Sequence, residues 1–242
     1  MASLYLNPEL DPDAAPGSTV QLTAAEARHA ITVARLRVGE RIAVGNGAGL
    51  VVQGTVRSTD AGIVEVEVEQ VRRDPAPRPE LWLAQALAKG DRDELAVQAA
   101  TELGAAGVIP WAAERSVSRW EGAKASKGRE RWASIVREAS KQSLRAWVPQ
   151  VADPTTVAQL AALPGLVLVL EPTAELKLTD IDVEGADRVT LVVGPEGGIS
   201  PREIEVLARA GATTVRLGAE VLRTSTAGPA ALAVLLAKLG RW

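Results

Sequence analysis

The chain has no cysteine and no phenylalanine, and only one histidine, one methionine and one tyrosine in 242 residues. Without cysteine there are no disulfides and no thiolate metal sites. A single histidine leaves little room for other transition-metal sites or for a Ser-His-Asp arrangement. The chemistry is therefore expected to use neither metal nor thiol. No basic-apolar-small leader pattern opens the chain, and its longest apolar run, "LAVLLAKL" near the C-terminus, is far short of the roughly 20 residues a membrane span needs. A cytoplasmic protein that does not enter a membrane is expected. With no phenylalanine, most of the six tryptophans are expected to serve as the core's large side chains rather than as platforms for bases.

What is present is a globular composition, 47% hydrophobic, in a chain long enough for one large domain or two ordinary ones. The net charge of −3 argues against a generic nucleic-acid coat, but the charge is uneven. Basic against acidic residues number 7 and 10 over residues 1–74, 12 and 9 over 75–150, and 8 and 11 over 151–242. Within the positive middle third, residues 114–145 hold 9 basic and 4 acidic groups.

Up to about residue 73 the pattern is short β runs broken by Gly, Asn and Asp, which predicts a small barrel. In its last run Val64, Val66 and Val68 alternate with Glu65, Glu67 and Glu69, an apolar face backed by a carboxylate ladder that should repel RNA. "RRDPAPRPE", residues 72–80, reads as a linker, giving domains 1–73 and 74–242. Beyond it, β and α signals alternate: strand "LWLAQAL", a helix from Asp91 to about Leu103 stopped by Gly104, strand "GVIPW", a helix over 128–143, strands at 166–170 and 189–193, a helix over 201–210, strand "TTVRL" and a final apolar helix. This alternation predicts an α/β domain with a mostly parallel sheet.

"VGPEGGISPREI", residues 193–204, sits between an apolar strand and a helix start. Ser200 as N-cap, Pro201 at the first helical position and Glu203 three after the cap form a capping box, with Ile199 and Ile204 spaced as a hydrophobic staple. The box fixes where Gly194, Gly197 and Gly198 point, and glycine lets a ligand approach the main chain. Ligands of open α/β sheets sit at the carboxyl ends of strands, where this loop lies. It has neither the Gly-Lys-Ser/Thr of a P-loop nor G-x-G-x-x-G, and Glu196 would repel a phosphate. A phosphate-free nucleoside or a cation fits better; a capped connection with no ligand is the alternative. A second loop, "LGAEVLRTSTAG" from Leu217, again follows a short strand, opens with Gly218 and carries Arg223 amid threonine and serine. "LVLVLEP", 166–172, marks a third strand end.

"VVGPEGGISPREIEVL" followed by "RLGAEVLRTSTA" resembles the paired C-terminal signatures of the SPOUT methyltransferases. With "LAKGDRDELAVQAATELG", "RSVSRW", "RWASIVREASKQS" and Glu171-Pro172, nearly the whole chain resembles the ribosomal RNA small subunit methyltransferase E family. The resemblance implies an N-terminal PUA-like β-barrel for RNA and a C-terminal SPOUT-type α/β domain with a trefoil knot, a topology that connection rules alone would not predict. It implies a homodimer that takes S-adenosylmethionine and makes N3-methyluridine in 16S rRNA, within the 30S subunit. By the same analogy Leu170, Gly194, Gly198, Ile199, Leu217, Gly218, Leu222 and Ala227 line the cofactor pocket. The chain departs from the usual pattern at Ser225, where glutamate is common, at Ala34 in "VAR" and at Leu144. A non-catalytic RNA-binding protein that kept this fold is the alternative.

Methylating uracil N3 means losing its proton, so the pocket must stabilise an anion. With no histidine or cysteine placed as a base, positioning and electrostatics are expected to carry most of the work. Arg223 is the candidate catalytic group, holding O2 or O4; binding loop carbonyls is its structural alternative. For RNA, Arg137, Lys141 and Arg145 stand four apart, as on one helix face, where like charges cost a few tenths of a kcal/mol each unless phosphates neutralise them; an ordinary solvated face is the alternative. Arg28, Arg35 and Arg37 are the candidates in the small barrel, while the lone His29 is read as structural.

Overall fold

A computed structural model describes residues 3–242. The chain divides into two compact units, one holding the residues through Ala76 together with Ser140–Val148, the other Pro77–Ala139 and Pro149–Trp242. The first unit therefore includes a segment that the sequence boundary of 73/74 assigns to the second.

In the first unit, β1 (Leu4–Leu6), β2 (Thr19–Gln21), helix α1 (Ala24–Thr32), β3 (Arg41–Gly45), β4 (Leu50–Ser58) and β5 (Glu65–Arg73) follow in order. The strands form a five-stranded sheet in the order β1-β3-β4-β5-β2, and Asn7 Nδ2 donates to Gln21 O at 2.9 Å, joining its two edges. Val64, Val66 and Val68 are fully buried, as their alternation predicts. The carboxylates opposite are not bare: Arg41 of β3 pairs with Glu69 at 2.6 Å, and Arg57 of the adjacent β4 pairs with Glu67. The face read as an anionic ladder is thus charge-matched at Glu67 and Glu69, a relation between strands that a single strand cannot reveal. Helix α1, capped by Thr23, is absent from the sequence reading, which took this region as β structure throughout.

The second unit alternates β6 (Glu80–Ala86), α2 (Arg92–Leu103), β7 (Gly107–Trp111), α3 (Ala123–Gln142), β8 (Gln150–Val151), α4 (Val157–Ala161), β9 (Leu166–Leu170), β10 (Arg188–Val193), α5 (Pro201–Arg209), β11 (Thr213–Val215) and α6 (Thr224–Lys238). Its six strands run in the order β11-β9-β10-β6-β7-β8, and every pairing among them is parallel. Leu168, Leu191, Val192 and Leu83 are wholly buried, as parallel strands covered on both faces require. Helix α6 buries Ala231, Leu232, Leu235 and Leu236, and Gly228 admits Leu83 so closely that a Cβ there would lie 2.7 Å from its Cδ1. Of the six tryptophans, Trp82, Trp111 and Trp132 are buried core residues, Trp120 and Trp147 are half-buried, and Trp242 is 67% exposed.

Candidate active site

Strand β9 lies between β10 and β11 with all three parallel, so their C-terminal ends share one edge of the sheet. The loops leaving those ends must meet there. They enclose a cleft of about 360 Å³, lined by Leu170, Glu171 and Pro172 after β9, by Gly194–Glu196, Gly198 and Ile199 after β10, and by Arg216–Gly218 and Glu220–Arg223 after β11. Thr224 and Ala227 of α6 and Arg92 of α2 complete it. A cleft of this size with mixed apolar and polar walls suits a small organic ligand. Every residue named from the sequence for cofactor or catalysis borders it: Leu170, Gly194, Gly198, Ile199, Leu217, Gly218, Leu222, Arg223 and Ala227.

The loop after β10 is held from all sides. Its exit is the capping box, with Ser200 Oγ accepting Glu203 N–H at 3.2 Å and Glu203 Oε2 accepting Ser200 N–H at 2.9 Å. The second oxygen of the buried Glu203 accepts Glu114 N–H at 2.7 Å. Arg115 Nη1 donates to Gly197 O at 3.1 Å. At its start, Thr224 Oγ1 donates to Gly194 O at 2.7 Å and itself accepts Gln85 Nε2 at 2.8 Å, and Trp111 Nε1 donates to Val193 O at 2.9 Å. A Cβ on Gly194 would stand 2.7 Å from Ile199 Cγ1, and Gly198 has φ +74°; both positions need glycine.

Glu196 is not the uncompensated carboxylate that the sequence suggests. Arg92 Nη1 donates to its Oε1 at 2.8 Å and Lys89 N–H at 3.1 Å. Burial works to raise its pKa, but backbone N–H groups and the Arg92 guanidinium outweigh that and hold the carboxyl below its ordinary value. Neither partner could be foreseen, since Arg92 lies 104 positions away.

The loop after β11 differs. Its base is anchored where Arg216 donates to Glu175 O at 2.7 Å, yet no side chain from Leu217 to Arg223 makes a hydrogen bond or ion pair with any described residue. Val221 is 77% exposed and Leu222 38%. Arg223 caps α6 by position, without a side-chain capping bond.

The basic residues named for RNA separate into two groups. Arg28, Arg35 and Arg37 are exposed, with no ion pair to any described residue. Arg137, Lys141 and Arg145 do not form one exposed stripe. Helix α3 ends at Gln142, and Leu144 takes φ +55°, so the four-residue spacing carries no helical meaning at Arg145. Lys141 is buried and pairs with the buried Glu26 at 3.3 Å. Burial pushes the Arg145 guanidinium down to about 10. The first role of Lys141 is therefore within the fold. Arg137 is half-buried.

Comparison with known proteins agrees with this architecture. Residues 74–236 match the model of an RNA methyltransferase domain, and residues 22–69 that of an RNA methyltransferase PUA domain. The chain is 40% identical over 233 residues to ribosomal RNA small subunit methyltransferase E of Mycobacterium tuberculosis, covering 93% of this chain and 89% of that one. Among solved structures, the enzyme of the same name from Neisseria gonorrhoeae, bound to S-adenosyl methionine, superposes with a TM-score of 0.87 at 28% identity, over 98% of both chains. A methyltransferase from Legionella pneumophila in complex with the cofactor SAM gives 0.87 at 29% identity, again over 98% of both. From two-unit fold to signature loops and full-length similarity, the chain belongs to the ribosomal RNA small subunit methyltransferase E family.

Proposed function

We propose that the chain is a ribosomal RNA methyltransferase that moves a methyl group from S-adenosylmethionine to N3 of a uridine in 16S rRNA, with the 30S subunit as substrate. The observation that supports this most is the single cleft at the ends of β9, β10 and β11, bordered by all the residues the two signature loops supply. Its chemistry fits the cofactor. Glycine-bearing backbone and the apolar Leu170, Ile199, Leu217 and Ala227 suit an adenine; Glu171 and Glu196 suit a cation; no lysine lines it to attract phosphate. When bound there, S-adenosylmethionine supplies a methyl group already activated on a sulfonium. The protein's own part is to orient the uracil and to stabilise the charge that appears as N3 loses its proton. Arg223, a cleft guanidinium without a side-chain partner among the described residues, is suited to donate to O2 or O4 as that charge builds.

Arg28, Arg35 and Arg37, exposed in the first unit, are the proposed RNA contacts. A homodimer and a trefoil knot in the second unit belong to the same reading; the half-buried Ala230, Ala233 and Val234 of the apolar helix α6 are suited to a subunit interface. The test is methylation of naked rRNA, 30S and 70S particles, followed by nucleoside mass spectrometry. N3-methyluridine, formed best on 30S, is expected. S-adenosylhomocysteine should raise the melting temperature and ATP should not, since a ligand at 100 times its Kd adds about 2.7 kcal/mol. Binding of RNA without methylation of any particle would instead mark a non-catalytic relative.

A further inference from the structure

Loss of the N3 proton needs an acceptor. Three carboxylates line the cleft, those of Glu171, Glu196 and Glu220. Glu196 is committed to Arg92 and Lys89 N–H. Glu171 accepts the Thr173 hydroxyl at 3.0 Å, which ties it to its own turn. Glu220 alone among them makes no hydrogen bond or ion pair with any described residue. Its carboxylate leans back over Gly218, with Oε2 3.6 Å from where a side chain at 218 would begin. The cleft's cations divide in the same way. Arg92 holds Glu196, Arg216 holds the carbonyls of Ala174 and Glu175, and Arg223 holds nothing among the described residues. One short loop therefore presents a free acceptor and a free donor three positions apart, separated by the exposed apolar Val221 and Leu222.

That combination matches the imide edge of uracil, in which an N–H lies between two carbonyl oxygens while the ring faces are apolar. We infer that Glu220 accepts the N3–H of the target uracil and removes its proton, while Arg223 donates to the neighbouring carbonyl oxygen. The inference rests on the uracil-N3 reading. In this step the N3–H bond breaks, its electron pair stays on the ring and spreads over O2 and O4, and the proton forms an O–H bond on Glu220 that is later lost to water. The carboxyl group must leave the line of approach to N3 before the methyl group arrives. A loop without side-chain tethers to any described residue gives it the freedom to do so.

The variants are Glu220→Gln and Glu220→Ala in the full-length protein. Affinity for S-adenosylhomocysteine, measured by calorimetry, should be unchanged. With that ligand present, wild type should bind a 16S fragment bearing uridine about fivefold more tightly than one bearing N3-methyluridine, the factor for one hydrogen bond, and Glu220→Ala should lose the preference. In single turnover near neutral pH, Glu220→Gln should be slower by about 100-fold. The deficit should close as the pH rises towards the range where uracil ionises unaided. A pH-independent deficit, an unaltered rate or a retained preference in Glu220→Ala overturns the inference alone. A wild type that methylates rRNA at another atom overturns the uracil-N3 reading and this inference with it.

Discussion

The two glycine-bearing walls of the cleft are built differently. The loop after β10 is pinned by Thr224, Arg115 and Arg92 and by its own capping box. The loop after β11 holds Glu220, Val221, Leu222 and Arg223 out with no side-chain tie to any described residue. Preorganised groups hold a ligand without an ordering cost at each encounter, whereas groups that meet an incoming base and then yield must be only weakly held. The first wall is therefore suited to binding the cofactor, and the Glu220 and Arg223 end of the second to the reaction. Damage to the two should separate affinity from turnover.

The largest effect is expected in the pinned wall. Any side chain at 194 drives into Ile199, so Gly194→Val should bring S-adenosylhomocysteine binding below detection by calorimetry. Next is the loose wall, where Arg223→Ala should lower kcat about 100-fold, the scale seen on removing one charge-stabilising donor, with cofactor Kd and Tm unchanged. Unchanged turnover would remove Arg223 from the reaction. A smaller effect follows from Ser200→Ala, which opens the capping box and should cost about 1 kcal/mol, read as a lower melting temperature.

Much of this architecture is legible locally. The capping box at Ser200 and the apolar strands 166–170 and 189–193 are written in consecutive residues, and both occur where periodicity and cap chemistry put them. Three strand ends meeting at one cleft also follow once the strands are parallel neighbours. What could not be read was pairing across the sequence. The partner of Glu196 comes from α2, that of Lys141 from α1, and those of Glu67 and Glu69 from β4 and β3. A charge looks solvated, or RNA-seeking, until its neighbour in space is known. The extension of the helix face to Arg145 has a local cause instead: Lys141 and Gln142 favour helix, and nothing in the residue type of Leu144 announces its left-handed backbone.

The tie between Arg92 and Glu196 is the mildest of these tests and the one with a pH signature. The pair is part-exposed, 40% and 30% for the two side chains, so Arg92→Met should weaken S-adenosylhomocysteine binding only about two- to threefold, the range of such pairs. Glu196 titrates below its ordinary value in the folded protein. Its contribution is therefore complete above the unfolded carboxylate pKa and is lost as the pH falls through the lowered folded value. The difference between wild type and Arg92→Met should accordingly stay level from about pH 8 to about 5 and fade only as the pH falls beneath the ordinary carboxylate value of about 4.3. Glu196→Gln should show the same small loss, and adding Arg92→Met to it should cost nothing more, because a tie broken at one end cannot be broken again. If instead the difference persisted unchanged into acid, Arg92 would be supporting the wall through the packing of its aliphatic stem, and the contrast between the walls would rest on the carbonyl bonds of Gly194 and Gly197.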